Sequence, residues 1–248
     1  EAEKKAADEA AKKAKADAEK KAKAEADKQA KIEAERKRKA ADVDTSRRQQ
    51  LLRASARLFR EKGYDGTSVR DIAQATGMQS GSWVYHFATK HDILEAVMKE
   101  GLVAALARTE AIAALGRPPR RQFDQLVRTH LDTLLGAGQD FIPVVLYEWR
   151  SLEPAARRRV SVLLKRYEAV WEQALAQLRA TGDWSGTTRI DALLLFGALN
   201  WVARWYDPRG TLDVQRLADE CVRFFLRTPP PAPGGRSKSS GRSQRAAR

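Results

Sequence analysis

Few residues in this chain are able to do chemistry, and most familiar chemistries fail on spacing. There are three histidines, His86, His91 and His130, and one cysteine, Cys221. The histidines do not form a metal-ligand pattern, and Cys221 has no partner histidine in its neighbourhood. No glycine-rich loop is present to cradle phosphates, and no nucleophile elbow. An enzyme is therefore not expected, nor is a cofactor or a metal. What remains is binding chemistry. Between Ser68 and Phe87 lie small or polar side chains, among them Gln79, Ser80, Ser82 and Tyr85, of the kind that reaches base edges or phosphates in a major groove. Further on, Asn200 stands on an otherwise apolar stretch and needs a hydrogen-bond partner if buried, either a ligand carbonyl or a neighbouring helix.

Helices must position these groups. Thr45 or Asp44 is able to cap a helix carrying Leu51, Leu52, Ala54, Leu58 and Phe59 at helical spacing, and Gly63 ends it. Thr67-Ser68 opens a short helix over 69–75, which Gly77 stops, and a second short helix is expected over 79–86. The pair reads as a helix-turn-helix. Ala73 sits where the helices cross, Gly77 takes the reversal, and Ile72 and Trp83 face inward. Longer helical runs follow over 90–115, 122–135, 142–150, 154–180, 187–206 and 214–226, separated by Gly and Pro punctuation. No strand pattern competes. The expected fold is all-α.

Composition divides the chain. The net charge is +14, and both ends are more basic per residue than the middle, which favours polyanions such as nucleic acid. Residues 1–41 are almost wholly Ala, Lys, Glu and Asp. Eight of their ten acids have Lys four places later, which is the helix-favouring order. This arm has no apolar stripe, so two readings stay open: a basic arm that tracks DNA nonspecifically, or a solubilising spacer. Residues 228–248 carry Pro, Gly, Ser and Arg without an acid and are expected to be disordered. A lone cysteine gives no internal disulfide, and no apolar run approaches the ~20 residues of a membrane span. With no secretory signal visible, a soluble, cytoplasmic protein is expected, and the missing initiator Met is read as processing or trimming.

The run from Leu51 to Leu94 resembles the TetR family of bacterial transcriptional repressors. The matching pieces are Ala56-Arg-Leu-Phe-Arg-Glu-Lys-Gly-Tyr-Asp-Gly-Thr-Ser-Val-Arg-Asp-Ile-Ala73, then Gly77, then Tyr85-His-Phe-Ala-Thr-Lys-His-Asp-Ile-Leu94. The resemblance implies a three-helix DNA-binding head followed by a helical-bundle domain for ligand binding and dimerisation. It also implies that Ser68 and Arg70 anchor phosphates, that Gln79, Ser80 and Ser82 meet bases, and that Tyr85, His86 and Lys90 contact phosphates. Two positions depart from the family pattern: Trp83 stands where an aliphatic is common, and Val84 where a tyrosine is, which removes one expected DNA contact.

The segment from Phe196 to Gly210, with Asn200-Trp201, Trp205-Tyr206, Pro208 and Gly210, is similar to the C-terminal domain of a subgroup responding to acyl-CoA thioesters in fatty-acid and steroid breakdown. A pocket lined by Trp149, Tyr167, Trp171, Asn200, Trp201 and Trp205 is expected. Arg158, in the run Arg157–Arg159, would offer charge to CoA phosphates unless that run is a solvated face. The expected organisation is an arm at 1–44, a head at 45–93, a ligand-binding and dimerisation domain at 94–227, and a basic tail at 228–248. The expected function is a homodimeric repressor on double-stranded operator DNA, released by a small hydrophobic effector such as an acyl-CoA. The rival reading is a sequence-tolerant architectural DNA-binding protein.

Overall fold

A computed structural model of the chain describes residues 31, 33–39, 42–78, 82–136, 138–185 and 189–226, and among them only helices and turns occur. Helix α1 covers residues 42–62 and buries Leu51, Leu52, Ala56, Leu58 and Phe59, the stripe its spacing predicts. Upstream, two of the acid-to-lysine pairs are formed, Lys37 with Glu33 and Lys39 with Glu35. Gly63 and Tyr64 turn the chain, and the Thr67 hydroxyl donates back to the Gly63 carbonyl at 2.8 Å.

Helix α2, Val69–Thr76, opens on a reciprocal cap in which Ser68 and Asp71 bond each other's backbone N–H. It ends with Gly77 at φ 65°; Gly77 N–H donates to Gln74 O and Met78 N–H to Ala73 O. That paired closure needs a left-handed residue, which glycine adopts without strain. Ile72 and Ala73 are buried, and Trp83 packs against the same core.

Helix α3, Lys90–Ala114, is capped by Thr89 with Asp92 and runs out of the head. Helices α4 (Pro119–Leu135), α5 (Phe141–Tyr147), α6 (Pro154–Ala180), α7 (Arg189–Trp205) and α8 (Val214–Phe225) complete the fold, with a 3-10 turn at Trp149–Ser151. Each long run in the sequence becomes a helix within a few residues of its expected ends. Pro119 takes the first turn of α4, where its missing N–H costs nothing.

Two apolar cores result. The first joins α1, α2 and the first half of α3 to Val144, Val145, Leu152, Ala156 and Val160. The second gathers Ala105 and Leu106 with α4, α7, α8 and the later part of α6. Helices α3 and α6 therefore belong to both cores. Gly101 makes the α3–α5 contact: a Cβ there would lie 2.7 Å from Phe141 Cβ. Among the described residues no helix is long and apolar enough to cross a membrane.

Candidate effector pocket and DNA-binding head

In the head, the described part of the expected recognition helix over 79–86 forms a 3-10 turn, Ser82–Tyr85. Trp83, Val84 and Tyr85 lose side-chain freedom in an α-helix, and the His86 and Phe87 N–H groups both converge on the Trp83 carbonyl, at 2.9 and 3.0 Å, to close the turn. Gln79 and Ser80 lie outside the described residues. Tyr85 is 92% exposed and Val84 is exposed beside it. Ser68 and Arg70 are exposed at the start of α2. Tyr85 shares a surface hollow with Arg47, Gln50 and Thr76, so Arg47 of α1 joins this face. Nothing in its local sequence marked it out among many arginines.

Two expected phosphate contacts are turned elsewhere. The Lys90 ammonium donates to the carbonyls of Tyr64 and Thr67, both at 2.9 Å, and lies 4.0 Å from the centre of the Tyr64 ring. It ties α3 to the α1–α2 turn through two backbone carbonyls. The His86 ring is nearly buried, with Nδ1 3.6 Å from an Asp44 carboxylate oxygen.

The second region is a cavity of about 570 Å³ among α3, α4, α5, α6 and α7. Leu102, Ala105, Ile142, Val145, Leu164 and Phe196 supply much of its apolar wall. Trp149, Tyr167 and Asn200 line it as expected, together with His130, Arg150 and Glu168. Trp171 is fully buried behind the wall, 5.3 Å from Phe196 and 5.8 Å from His130 ring to ring. His130 joins three helices: Nδ1 is 2.9 Å from the Tyr167 hydroxyl and Nε2 is 3.0 Å from Asn200 Oδ1. Burial holds its pKa down to about 4, against a smaller opposing pull from Asn200, so the ring is neutral near pH 7. Burial likewise pushes the Tyr167 phenol above its ordinary range.

The remaining expected ligand contacts lie outside this cavity. Trp201 and Trp205 are 65% and 52% exposed on α7, in one stripe with Ile190 and Leu194. At helical spacing that stripe faces away from the residues α7 buries, Leu195, Leu199 and Val202. The arginine run splits. Arg157 donates to the Arg150 and Leu152 carbonyls, Arg159 holds Glu95, and Arg158 is solvated. Arg150 is the arginine at the cavity. His130 was not among the expected ligand contacts; its signal was a histidine on an apolar helical stripe with Phe123, Leu126, Val127 and Leu134.

A capped helix pair on a head joined by α3 to a pocketed helical bundle is what the comparisons with known proteins return. Residues 51–97 match bacterial regulatory proteins of the tetR family, and residues 116–228 match the tetracyclin repressor-like C-terminal domain. The chain is 30% identical to the HTH-type transcriptional repressor KstR2 of Rhodococcus jostii (strain RHA1) over 187 residues, 73% of this chain and 90% of that protein. Among solved structures, superantigen PfiT aligns at 36% identity and TM-score 0.63, covering 74% of this chain and 98% of that one. AibR in complex with isovaleryl coenzyme A and operator DNA shares the fold at 23% identity and TM-score 0.68, over 73% of this chain and 98% of that one. The head, the long connecting helix and the extended match to a repressor agree, and the chain belongs to the TetR family of DNA-binding transcriptional regulators.

Proposed function

We propose that the chain is a homodimeric repressor whose grip on a palindromic operator is released when an acyl-CoA thioester enters the cavity. The observation that carries this reading is the position of the cavity, against α3 and α6, the two helices that take part in both cores. A ligand that wedges α6 from α4 or α7 tilts α3 and with it the head. Coupling of about 1–3 kcal/mol would weaken operator binding roughly 5–150-fold. The AibR complex supports the effector class by its fold and by what it holds. Arg150 is the cation placed to meet a phosphate-bearing tail at the cavity.

The chain is divided for this purpose into an arm at 1–44, a head at 45–93, the effector and dimer domain at 94–227 and a tail at 228–248. Ser68, Arg70, Gln79, Ser80, Ser82 and Tyr85 are proposed to contact DNA. Lys90 and His86 brace the head from behind. Trp149, Tyr167 and Asn200 contact the effector. The exposed apolar stripe of α7, Ile190, Leu194, Trp201 and Trp205, with Phe224 of α8, pairs with its twofold mate. Two heads then sit in successive major grooves, about 34–36 Å apart.

The test is a mobility-shift assay on DNA upstream of the chain's own gene, with and without a panel of acyl-CoA thioesters. A discrete complex that one thioester dissolves is expected. A complex indifferent to every thioester contradicts the effector class, and a salt-sensitive smear without a discrete band contradicts the repressor in favour of an architectural DNA-binding protein.

A further inference from the structure

His130, Tyr167 and Asn200 come from α4, α6 and α7 and meet at the cavity wall. Their bonding leaves a single consistent proton arrangement. The buried imidazole is neutral and carries one N–H. Asn200 Oδ1, 3.0 Å from Nε2, is a carbonyl oxygen that only accepts, so the ring proton sits on Nε2. Nδ1 is then an acceptor, and the Tyr167 hydroxyl donates to it at 2.9 Å. Donation runs one way, from Tyr167 through His130 to Asn200.

The consequence falls on the far side of the Asn200 amide. With its carbonyl held by His130, the NH2 group is the amide's remaining hydrogen-bonding end. Asn200 is half-buried in the wall of a largely apolar cavity, so a ligand that covers its NH2 without offering an acceptor leaves that donor unmet, at a cost that a ligand acceptor avoids. We propose that His130 is a positioning residue that sets the polarity of this pocket, holding Asn200 so that the cavity selects ligands carrying a carbonyl oxygen over ligands of equal shape without one. The inference rests on the effector reading for the location of the ligand. The chemistry it names, an apolar body with a carbonyl acceptor, is shared by acyl thioesters and free ketones.

The experiment uses the full-length protein and two matched pairs of probes, followed through tryptophan fluorescence, since Trp149 lines the cavity. One pair is isovaleryl-CoA and its S-(3-methylbutyl) thioether. The other is 4-tert-butylcyclohexanone and its exocyclic methylene analogue. In each pair that binds, the carbonyl member is expected to bind about tenfold tighter, the factor lost when a buried donor is left unmet. Asn200→Leu and His130→Phe bring the two members of each pair to parity, and His130→Gln restores part of the preference because its amide also donates. Equal affinity within a pair in the unaltered protein overturns the proposal. A tenfold preference in the ketone pair with no binding of either CoA compound upholds it and overturns the CoA effector; binding of neither pair overturns both. Should the His130 variants fail to fold, 15N imidazole shifts of the unaltered protein decide: a proton on Nε2 is expected, and a proton on Nδ1 contradicts the arrangement.

Discussion

Two polar clusters tie α6 to its neighbours two turns apart, and they are built from opposite materials. At Arg159 the contact is ionic. Its guanidinium makes paired bonds of 2.7 and 2.5 Å to Glu95 on α3, and Lys99 adds a third charge at 2.7 Å. Chiefly through the Arg159 bonds, the Glu95 carboxyl is pulled down to about pH 2. At Tyr167 the contact is neutral and desolvated, and burial alone keeps His130 uncharged. Glu95 is buried but its partner Arg159 is more than half exposed, so water shares the charge. At buried His130 no such sharing is available, and an ion would cost several kcal/mol. The two clusters divide the labour: the ionic one fastens α6 to α3, the helix that leaves the head, and the neutral one orders polar groups in the cavity wall.

The sharpest break is between burial and exposure of single aromatic side chains. Trp171→Ala empties the second core and is expected to cost about 3–5 kcal/mol in urea unfolding. Tyr85→Ala should leave stability within about 0.5 kcal/mol while weakening operator binding by about 1–3 kcal/mol in fluorescence anisotropy. Unaltered operator affinity in that variant would remove Tyr85 from the DNA face.

The next test separates the clusters by pH. A histidine whose folded pKa lies below its unfolded 6.5 binds its proton more readily when unfolded, so its contribution is fully present above 6.5 and is lost as pH falls toward about 4. The loss is on the order of 3 kcal/mol, and it should vanish in His130→Phe. Glu95 works in a lower window: its contribution is present above its ordinary 4.5 and disappears as pH falls toward about 2. An unchanged slope between pH 6.5 and 4 in His130→Phe would show that another group titrates there.

A smaller effect distinguishes the clusters by salt. Glu95→Gln should cost about 1–2 kcal/mol at low ionic strength, discounted for the exposure of Arg159, and less at 1 M salt. Tyr167→Phe should show no such salt dependence. The smallest effect on the protomer belongs to Trp201→Glu, on the open stripe of α7. Its stability should barely move, yet sedimentation should show the dimer dissociated, and a persisting dimer would place the twofold contact elsewhere.

Much of the fold was legible because helical periodicity and punctuation are local. Ser68 with Asp71 and Thr89 with Asp92 mark helix starts within three residues, and Gly63 and Gly77 mark ends. The site was legible in type more than in partner. Trp149, Tyr167 and Asn200 are polar or aromatic side chains on apolar stretches, and they line the cavity. Trp201 and Trp205 satisfy the same rule, and only tertiary packing separates a stripe facing a cavity from one facing outward. Lys90 and the run Arg157–Arg159 carry charges whose partners, Tyr64, Leu152 and Glu95, are distant in sequence or are backbone atoms, so no spacing announces them.

On the proposed reading, operator and effector compete through one shared change of structure, and reciprocity tests it. The affinity for isovaleryl-CoA is measured by calorimetry on the free dimer and on the dimer saturated with operator, and operator affinity is measured with and without the thioester. Thermodynamic linkage requires the two factors to be equal, and the expected value is roughly 5–150-fold weakening in each direction. Thioester binding that is the same with and without operator would contradict it.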